Sequence, residues 1–253
     1  MFKGAIPALI TPFTKDNRID GEGLRRNIAF VEEGGVAGIV PCGTTGESAT
    51  LSALEHEEVI DIAVECSKVP VIAGTGSNNT EEALQFTKHA ADAGVDCVLL
   101  ISPYYNKPNS AGLLAHFRKI AEAVDIPMIL YNVPSRTGQD MPVEVITELA
   151  KVENIVGIKE ASGNLAQMMD IITAVEADFS VLSGDDFLTR YQAVVIPGGF
   201  SWGDHLGAGR VFGIHLVAKL AEAGNGVKHA ASAGPPTTAD VVQQSAATAG
   251  LAR

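Results

Sequence analysis

The chain has 253 residues, 46% of them hydrophobic, and a formal net charge of −12 at pH 7. This acidic balance argues against nucleic acid and anionic membranes as partners, because the sequence has no basic stripe to neutralise phosphates. The length suits one large α/β domain or two ordinary ones.

The cysteines and the first residues indicate where the protein works. Cys42, Cys66 and Cys97 are odd in number and form no CxxC pair, which is typical of a reducing compartment without a disulfide framework or a zinc site. The chain starts directly with a strand-like run, without a signal peptide, and no apolar run is long enough to span a bilayer. We therefore expect a cytoplasmic protein that does not bind membranes.

Apolar runs alternate with segments that have helix start signals. We predict strands at 4–11, 37–41, 69–73, 95–101, 126–131, 154–160 and 179–183. We predict that helices begin near Asp20, Ser52, Asn79, Ser110, Pro142 and Asn164. Ser52 is followed three residues later by Glu55, which predicts a capping box.

Seven β units with six intervening helices predict an α/β fold of parallel strands joined by right-handed crossovers. Two architectures fit, a closed (β/α)8 TIM barrel and a doubly wound open sheet, and both bind ligands at the carboxyl ends of the strands. The length and the strand count favour the barrel. An eighth strand is still required, so we predict a barrel that is incomplete or irregular after the seventh strand.

One lysine stands at the end of the apolar run 154–160. Lys159 leaves a strand predicted to be buried on both faces, where desolvation lowers the pKa of an amine and allows Schiff-base chemistry with a carbonyl substrate. Taken alone, such a lysine more often marks the end of a strand and turns into solvent. The neighbouring strand ends therefore decide the interpretation.

Other polar groups follow the predicted strands. The segment Gly-Thr-Thr-Gly-Glu (43–47) offers hydroxyls and backbone N–H groups to a small carboxylate, or else starts a capped helix. Tyr131 could relay protons or be a core tyrosine with a satisfied hydroxyl. Arg136 could clamp a second carboxylate in bidentate fashion or form a loop salt bridge. Tyr104 and Tyr105 could form a packing patch or a subunit contact.

The same residues argue against a cofactor. Asp185 and Asp186 more simply cap and turn than bind metal, because no second carboxylate or histidine cluster accompanies them. The segment 74–76 lacks the third glycine of a dinucleotide fingerprint. One lysine, several hydroxyls and one arginine describe a site of the class I aldolase type, for which we expect neither a metal nor an organic cofactor.

Five motifs carry a resemblance that covers residues 1–189. They are Gly-Thr-Thr-Gly-Glu (43–47), Pro-Tyr-Tyr-Asn-Lys-Pro (103–108), Tyr-Asn-Val-Pro-Ser-Arg-Thr-Gly (131–138), Gly-Ile-Lys-Glu-Ala-Ser-Gly (157–163) and Ser-Gly-Asp-Asp (183–186). With them the chain resembles the dihydrodipicolinate synthase family, within the N-acetylneuraminate lyase superfamily of class I aldolases. The Arg136 loop and the paired tyrosines favour the synthases over the sugar-acid lyases.

The resemblance implies condensation of pyruvate with L-aspartate 4-semialdehyde to 4-hydroxy-tetrahydrodipicolinate, in lysine (diaminopimelate) biosynthesis. It implies that Lys159 forms the Schiff base with pyruvate. It also implies a proton relay made of Thr44, Tyr131 and Tyr105, with Tyr105 reaching into the site of a neighbouring subunit of a homo-oligomer, a dimer or tetramer.

Further roles follow from the same resemblance. Thr45 would hold the pyruvate carboxylate, Arg136 would hold the semialdehyde carboxylate and orient Tyr131, and Gly184 would line the site. An allosteric lysine site at the dimer interface would comprise Ser48, Ala49, His56, Asn78, Glu82 and Tyr104. Ala53 stands where some lysine-sensitive relatives carry histidine.

The sequence after Thr189 has a different character. Residues 190–209 resemble a short piece of the glutaminase domain of phosphoribosylformylglycinamidine synthase, but no cysteine follows Cys97 to serve as its nucleophile. The segment 193–196 could be an eighth strand only through an unusually short connection. We therefore divide the chain into a barrel domain, 1–200, and a partly helical or loose tail, 201–253.

Two alternatives remain open at this point. The chain could be a related pyruvate-dependent aldolase that acts on a sugar acid. It could also be a chimeric or truncated barrel whose catalysis is impaired by its foreign last quarter.

Overall fold

Five parallel strands form one sheet in which the spatial order follows the chain order. They are β1 (Ile72–Gly74), β2 (Cys97–Ile101), β3 (Met128–Asn132), β4 (Ile155–Glu160) and β5 (Ser180–Ser183). The computed structural model describes residue 2 and residues 4–184. The predicted eighth strand, Asp185, Asp186 and the tail 201–253 lie outside the described residues.

Two earlier segments extend the sheet through isolated bridges. Ala8 pairs in parallel with Val40, and Ile39 pairs in parallel with Val71. The predicted strands at 4–11 and 37–41 therefore have the predicted place and direction, but regular strands there are wrong. Prolines at positions 7, 41 and 70 explain the difference, because proline has no N–H to donate to a ladder.

Seven helices precede or connect the strands in the described part of the chain. They are α1 (Gly21–Glu33), α2 (Ala53–Cys66), α3 (Thr80–Ala93), α4 (Ser110–Ala123), α5 (Pro134–Thr137), α6 (Val143–Leu149) and α7 (Leu165–Ala174). The capping box of Ser52 and Glu55 is present. The sequence did not predict α5 or a single 3-10 turn at Ser48–Thr50. None of the described helices is long and apolar enough to cross a membrane.

Alternation along each strand separates two hydrophobic clusters. On β2, Val98 and Leu100 join the cluster that contains the buried helix residues, whereas Cys97 and Leu99 join a second cluster built from strands and strand ends. We call these two sides of the sheet the helix face and the inner face. Burial on both sides explains why the strands read as continuous apolar runs.

The same alternation sorts the polar residues at the strand ends. Tyr131 belongs to the inner cluster and pairs in register with Lys159. The next pair in register, Asn132 with Glu160, lies on the helix face, and both side chains are fully buried. At the ends of β3 and β4, the pair Tyr131 and Lys159 therefore lies on the inner face, and the pair Asn132 and Glu160 lies on the helix face.

Two histidines are buried among the helices. His56 on α2 stacks on Phe86 of α3, with ring centroids 4.0 Å apart. His116 on α4 shares a hydrogen bond of 2.8 Å between its Nδ1 and the hydroxyl of Thr80. Burial lowers the pKa of His56 and that of His116 to about 4, because an imidazolium would lose its hydration there.

His56 should make the stability of the fold depend on pH. The pKa of a histidine in the unfolded chain is near 6.5, whereas the pKa of folded His56 is about 4. Between these two pH values the unfolded state binds a proton that the folded state does not bind, so the free energy of unfolding decreases as the pH falls. We expect His56→Phe, which keeps a ring against Phe86, to reduce the loss of unfolding free energy between pH 7 and pH 5 by about 2 kcal/mol. Urea unfolding at both pH values measures this loss, and equal losses in the two proteins would contradict the account.

Candidate active site

Lys159 and Tyr131 lie side by side on the inner face at the carboxyl ends of β4 and β3. The Nζ atom of Lys159 is 4.5 Å from the centroid of the Tyr131 ring. A cation over a tyrosine ring is a favourable electrostatic contact, worth about 0.5–2 kcal/mol depending on solvation. Lys159 therefore packs against the inner wall of the sheet, and the alternative that it simply turns into solvent is not what the structure shows.

Gly184 lies against the stem of Lys159. A Cβ atom at this position would stand 2.9 Å from Cε and 3.3 Å from Cγ of Lys159. The backbone N–H of Gly184 donates to the carbonyl of Glu160 over 2.7 Å, which holds the end of β5 beside β4. A side chain at residue 184 would therefore crowd Lys159 and Ala161. The predicted role of Gly184 in lining the site stays a prediction.

The segment 43–47 forms a tight turn at the end of the second bridging segment. The N–H of Gly46 donates to the carbonyl of Gly43 over 3.0 Å, and the buried hydroxyl of Thr11 donates to the carbonyl of Gly46 over 2.7 Å. Thr44 is half-buried and Thr45 is exposed. The turn thus presents hydroxyls and backbone groups at the strand ends, as the sequence predicted, followed by the 3-10 turn.

A pocket of about 330 Å³ connects this turn with the strand ends. Its walls come from the segment 42–50, from β1, β2 and β3, and from the loops that follow these strands. The lining residues are Cys42, Gly43, Thr44, 47–50, Gly74, Gly76, Leu99, Ile101, Tyr104, Tyr131 and Arg136. This volume is within the range of small-molecule sites.

Arg136 borders the pocket from α5, the one-turn helix that directly follows β3. Its backbone N–H donates to the carbonyl of Val133 over 2.9 Å, and Gly138 ends the turn with a φ of 72°. Among residues 4–184, no carboxylate lies within salt-bridge distance of its guanidinium. The predicted alternative of a loop salt bridge is therefore not observed within the described residues, and the guanidinium is available to an anionic ligand.

The two adjacent tyrosines occupy different environments. Tyr104 lines the pocket, whereas Tyr105 is 89% exposed and has a φ of 70°. The exposed ring does not contribute to the pocket of its own chain as the structure describes it. Its predicted role in the site of a neighbouring subunit stays a prediction.

Strained backbone is concentrated in the loops around the pocket. Five non-glycine residues with positive φ occur in the described part of the chain, and four of them are in these loops: Cys42, Glu47, Tyr105 and Lys107. Such conformations cost about 1–3 kcal/mol each and persist only where the surrounding structure imposes them. The loops are therefore held in one shape before a ligand arrives.

A buried polar network lies behind the lysine and was not predicted from the sequence. The amide nitrogen of Asn132 donates to the two carboxylate oxygens of Glu160 over 3.2 and 3.0 Å and to Asp140 over 2.6 Å. The N–H of Ser162 donates to Glu160 over 2.7 Å, and the N–H of Met141 donates to the amide oxygen of Asn132 over 3.1 Å. The only sequence signal was a polar residue directly after each of Tyr131 and Lys159.

The six residues predicted for an allosteric lysine site lie in different environments. Ser48, Ala49 and Tyr104 line the pocket, and Glu82 accepts a hydrogen bond from Ser77. The carbonyl of Asn78 accepts from the side chain of Asn106 over 3.1 Å. His56 is only 2% exposed and packs against Phe86. An inhibitor site made of these residues stays a prediction.

Metal and thiol chemistry find little support in the part of the chain that the structure describes. These residues contain no group of three or more His, Cys, Asp or Glu side chains that could hold a metal ion. Cys42 borders the pocket, but burial raises the pKa of its thiol to about 12, so it is not a thiolate nucleophile at neutral pH.

A larger surface groove of about 670 Å³ lies along α1 and α2, and its charge makes it unsuited to anionic ligands. Six carboxylates border it, against the single cation Arg25: Asp20, Glu22, Glu57, Glu58, Asp61 and Glu65. Such a surface repels anionic substrates. The pocket at the strand ends, with Lys159 and Arg136 beside it, is therefore the candidate active site.

Comparison with known proteins agrees with this geometry. The family described as "Dihydrodipicolinate synthetase family" matches residues 1–228. The 4-hydroxy-tetrahydrodipicolinate synthase of Methanosarcina mazei is 85% identical over 190 residues, which cover 75% of this chain and 65% of that relative. The enzyme of the same name from Methanoculleus marisnigri is 54% identical over 221 residues, which cover 85% of this chain and 76% of the relative.

A solved structure gives the same result for the fold. The chloride-inhibited dihydrodipicolinate synthase from Acinetobacter baumannii, complexed with pyruvate, is 45% identical, with a TM-score of 0.72, over 74% of this chain and 65% of that one. The predicted α/β barrel class is thereby confirmed for the described residues. The family match extends to residue 228. The predicted change of character after Thr189 stays a prediction.

The chain spans about 65% of the length of the Methanosarcina mazei relative. It has the five motifs, and within the described residues the parallel strands bring the first four of them to one edge of the sheet. The family match covers most of the chain, up to residue 228. The chain belongs to the dihydrodipicolinate synthetase family.

Proposed function

We propose that this chain condenses pyruvate with L-aspartate 4-semialdehyde to 4-hydroxy-tetrahydrodipicolinate, through a Schiff base on Lys159. The observation that carries the proposal is the Nζ atom of Lys159 over the ring of Tyr131, beside a pocket that Thr44 and Arg136 also border. Relatives named for this synthase, 85% and 54% identical, support the choice of substrates.

The amine of Lys159 begins the reaction by attacking the carbonyl carbon of pyruvate, and water leaves as the iminium forms. The iminium withdraws electrons and acidifies the methyl group, whose proton is then removed to give an enamine. The enamine carbon attacks the aldehyde of the second substrate. The amino group of that substrate then attacks the iminium carbon, closes the ring and releases Lys159.

Proton transfers accompany each of these steps, and Tyr131 would make them. Its ring lies against the amine of Lys159, and both Tyr131 and Thr44 border the same pocket. A positioned acid–base group contributes about 10²–10⁴-fold to such a reaction. Tyr105 would complete the relay from a neighbouring subunit of a homo-oligomer, which fits its exposure of 89%.

Two sites are needed for the two substrate carboxylates, and the turn 43–47 and Arg136 are the two candidates. Thr45 and the backbone N–H groups of the turn 43–47 would hold the carboxylate of pyruvate. Arg136 would hold the carboxylate of the semialdehyde as a bidentate pair. All of these groups lie within residues 4–184, which the structure describes.

Borohydride trapping tests the role of the lysine. We expect pyruvate and borohydride to leave a reduced adduct on the peptide that contains Lys159, and Lys159→Ala to abolish it, because Lys159 is the amine found over the Tyr131 ring within residues 4–184. Tyr131→Phe should slow adduct formation about 10²-fold by removing the proton donor. Peptide mass spectrometry measures the adduct.

Lys151→Ala is the matched control, since this exposed lysine pairs with Glu148 and has no place in the pocket. It should form the adduct at the normal rate. If the unaltered chain forms none, the proposal fails and an impaired, chimeric barrel is the better interpretation.

Arg136 tests the identity of the second substrate. We expect Arg136→Ala to raise the KM for the semialdehyde at least about tenfold, because its carboxylate loses a charge-assisted pair. The rate of pyruvate trapping should change less than about twofold, since pyruvate is held by the turn 43–47. Initial rates with each substrate varied in turn measure both effects.

If Arg136→Ala impaired the use of pyruvate as much as it raised the KM for the semialdehyde, the assignment of Arg136 to the semialdehyde would be contradicted. Faster turnover of a sugar acid than of the semialdehyde by the unaltered chain would instead identify a related aldolase.

A further inference from the structure

We infer that Asn132 is a positioning residue that sets the distance between Tyr131 and Lys159 by clamping Glu160 on the opposite side of the sheet. The inference rests on the proposed function, because it concerns the same amine and the same phenol. It assigns a role to a pair of residues that do not border the pocket and that directly follow the reacting groups on their strands.

The geometry of the sheet supplies the first step. Asn132 and Glu160 pair in register directly after Tyr131 and Lys159, on the same two strands. Adjacent residues of a strand point to opposite faces, so a constraint on one pair restricts the other. The hydrogen bonds of 3.2 and 3.0 Å between Asn132 and Glu160 therefore fix the strand ends that carry the phenol and the amine.

The pairing of β3 with β4 is irregular a few residues before this pair. The register shifts between Met128 and Ile129, where Met128 pairs with Ile155 and Ile129 with Gly157. An irregularity of this kind bends the strand and increases its local twist. A pair of side chains beyond the irregularity, bonded across the two strands, restores a fixed alignment where the reaction takes place.

The chemistry of the pair makes the contact specific. Both side chains are 0% exposed, so an unmatched donor or acceptor there would cost about 1–3 kcal/mol. The amide of Asn132 offers donors to two carboxylates, Glu160 and Asp140, and its oxygen accepts from the N–H of Met141. Neither a carboxylate nor an apolar side chain at position 132 can provide this set of bonds.

A second amide holds the outer part of the network. The side chain of Gln167 on α7 donates to Asp140 over 2.9 Å and to the carbonyl of Met141 over 3.2 Å. Together with the bond from the N–H of Met141 to Asn132, these hydrogen bonds hold the two ends of the segment 132–141 together. This segment contains Arg136. The network is a separate layer behind the pocket, tied to β3, β4 and α7.

A comparison of rates tests the inference. The rate of pyruvate adduct formation under borohydride quench is measured over a range of pyruvate concentrations. We expect Asn132→Ala to lower the maximal rate at least about tenfold and to leave the half-saturating pyruvate concentration within about twofold, because a small misplacement of reacting groups costs rate. If Asn132 acted in pyruvate binding, Asn132→Ala would instead change the half-saturating pyruvate concentration.

Two further variants exploit the direction of the hydrogen bonds. Asn132→Asp should be slower than Asn132→Ala, because it sets a third carboxylate against Glu160 and Asp140. Adding Glu160→Gln to Asn132→Asp restores one donor and acceptor pair and should recover part of the maximal rate. A double variant no faster than Asn132→Asp would contradict a clamp made by these two side chains.

Asn154→Ala is the matched control. Its side chain donates to the carbonyls of Ala121 and Val124 over 2.9 and 3.1 Å, just before the opposite end of β4. It should lower the free energy of unfolding by a similar amount and leave the maximal rate unchanged. An equal fall of the rate in Asn154→Ala and Asn132→Ala would reduce the role of Asn132 to general stability and overturn the inference.

The outcomes separate this inference from the proposed function. An unaltered chain that forms no adduct overturns both. Normal trapping on Lys159 with an unchanged rate in Asn132→Ala overturns the inference alone.

If Asn132→Ala does not unfold cooperatively, Glu160→Gln replaces it, because it keeps the volume of the side chain and faces the donor of Asn132 with a second donor. The same fall in maximal rate is expected for that variant, and an unchanged rate would overturn the inference.

Discussion

The pairing of Tyr131 with Lys159 across β3 and β4 is the constraint on which the candidate site depends. It places a cation 4.5 Å from an aromatic centroid at the carboxyl ends of two buried strands. A slip of one residue in either strand would send one of the two side chains to the helix face. The buried pair Asn132 and Glu160, one residue further on, opposes such a slip because it would break bonds that water cannot replace.

Electrostatics within the site oppose the charge of the chain as a whole. The net charge of −12 repels the two anionic substrates that we propose, and the groove along α1 and α2 concentrates carboxylates. At the strand ends Lys159 packs against Tyr131, and Arg136 borders the pocket together with Glu47. We propose that these two cations, brought to one edge of the sheet by its parallel strands, favour the binding of anions there.

Much of this arrangement could be predicted from the sequence. Apolar runs located all seven sheet segments, and the capping residues located the longer helices, because burial and capping follow from residue type and spacing alone. The strand-end positions of Thr44, Tyr131, Arg136 and Lys159 followed from the same runs. The roles of these residues came from the resemblance, and they stay proposals.

Other features depend on contacts between distant parts of the chain and gave no local signal. Prolines reduced two predicted strands to bridges, and α5 is too short for a periodic pattern. The burial of His56 depends on Phe86, which comes from another helix. The network of Asn132 joins residues up to 28 positions apart. Its members look like ordinary polar residues in the sequence, and only the folded sheet shows that they share one buried contact.

A crystal structure of the chain after exposure to pyruvate would test the account most directly. We predict continuous density from the Nζ atom of Lys159 to the carbonyl carbon of pyruvate, with the pyruvate carboxylate at the turn 43–47 and the hydroxyl of Tyr131 within hydrogen-bond distance of the adduct. Pyruvate bound elsewhere, with the amine of Lys159 unmodified at saturating concentration, would contradict the central claim that this lysine is the Schiff-base residue.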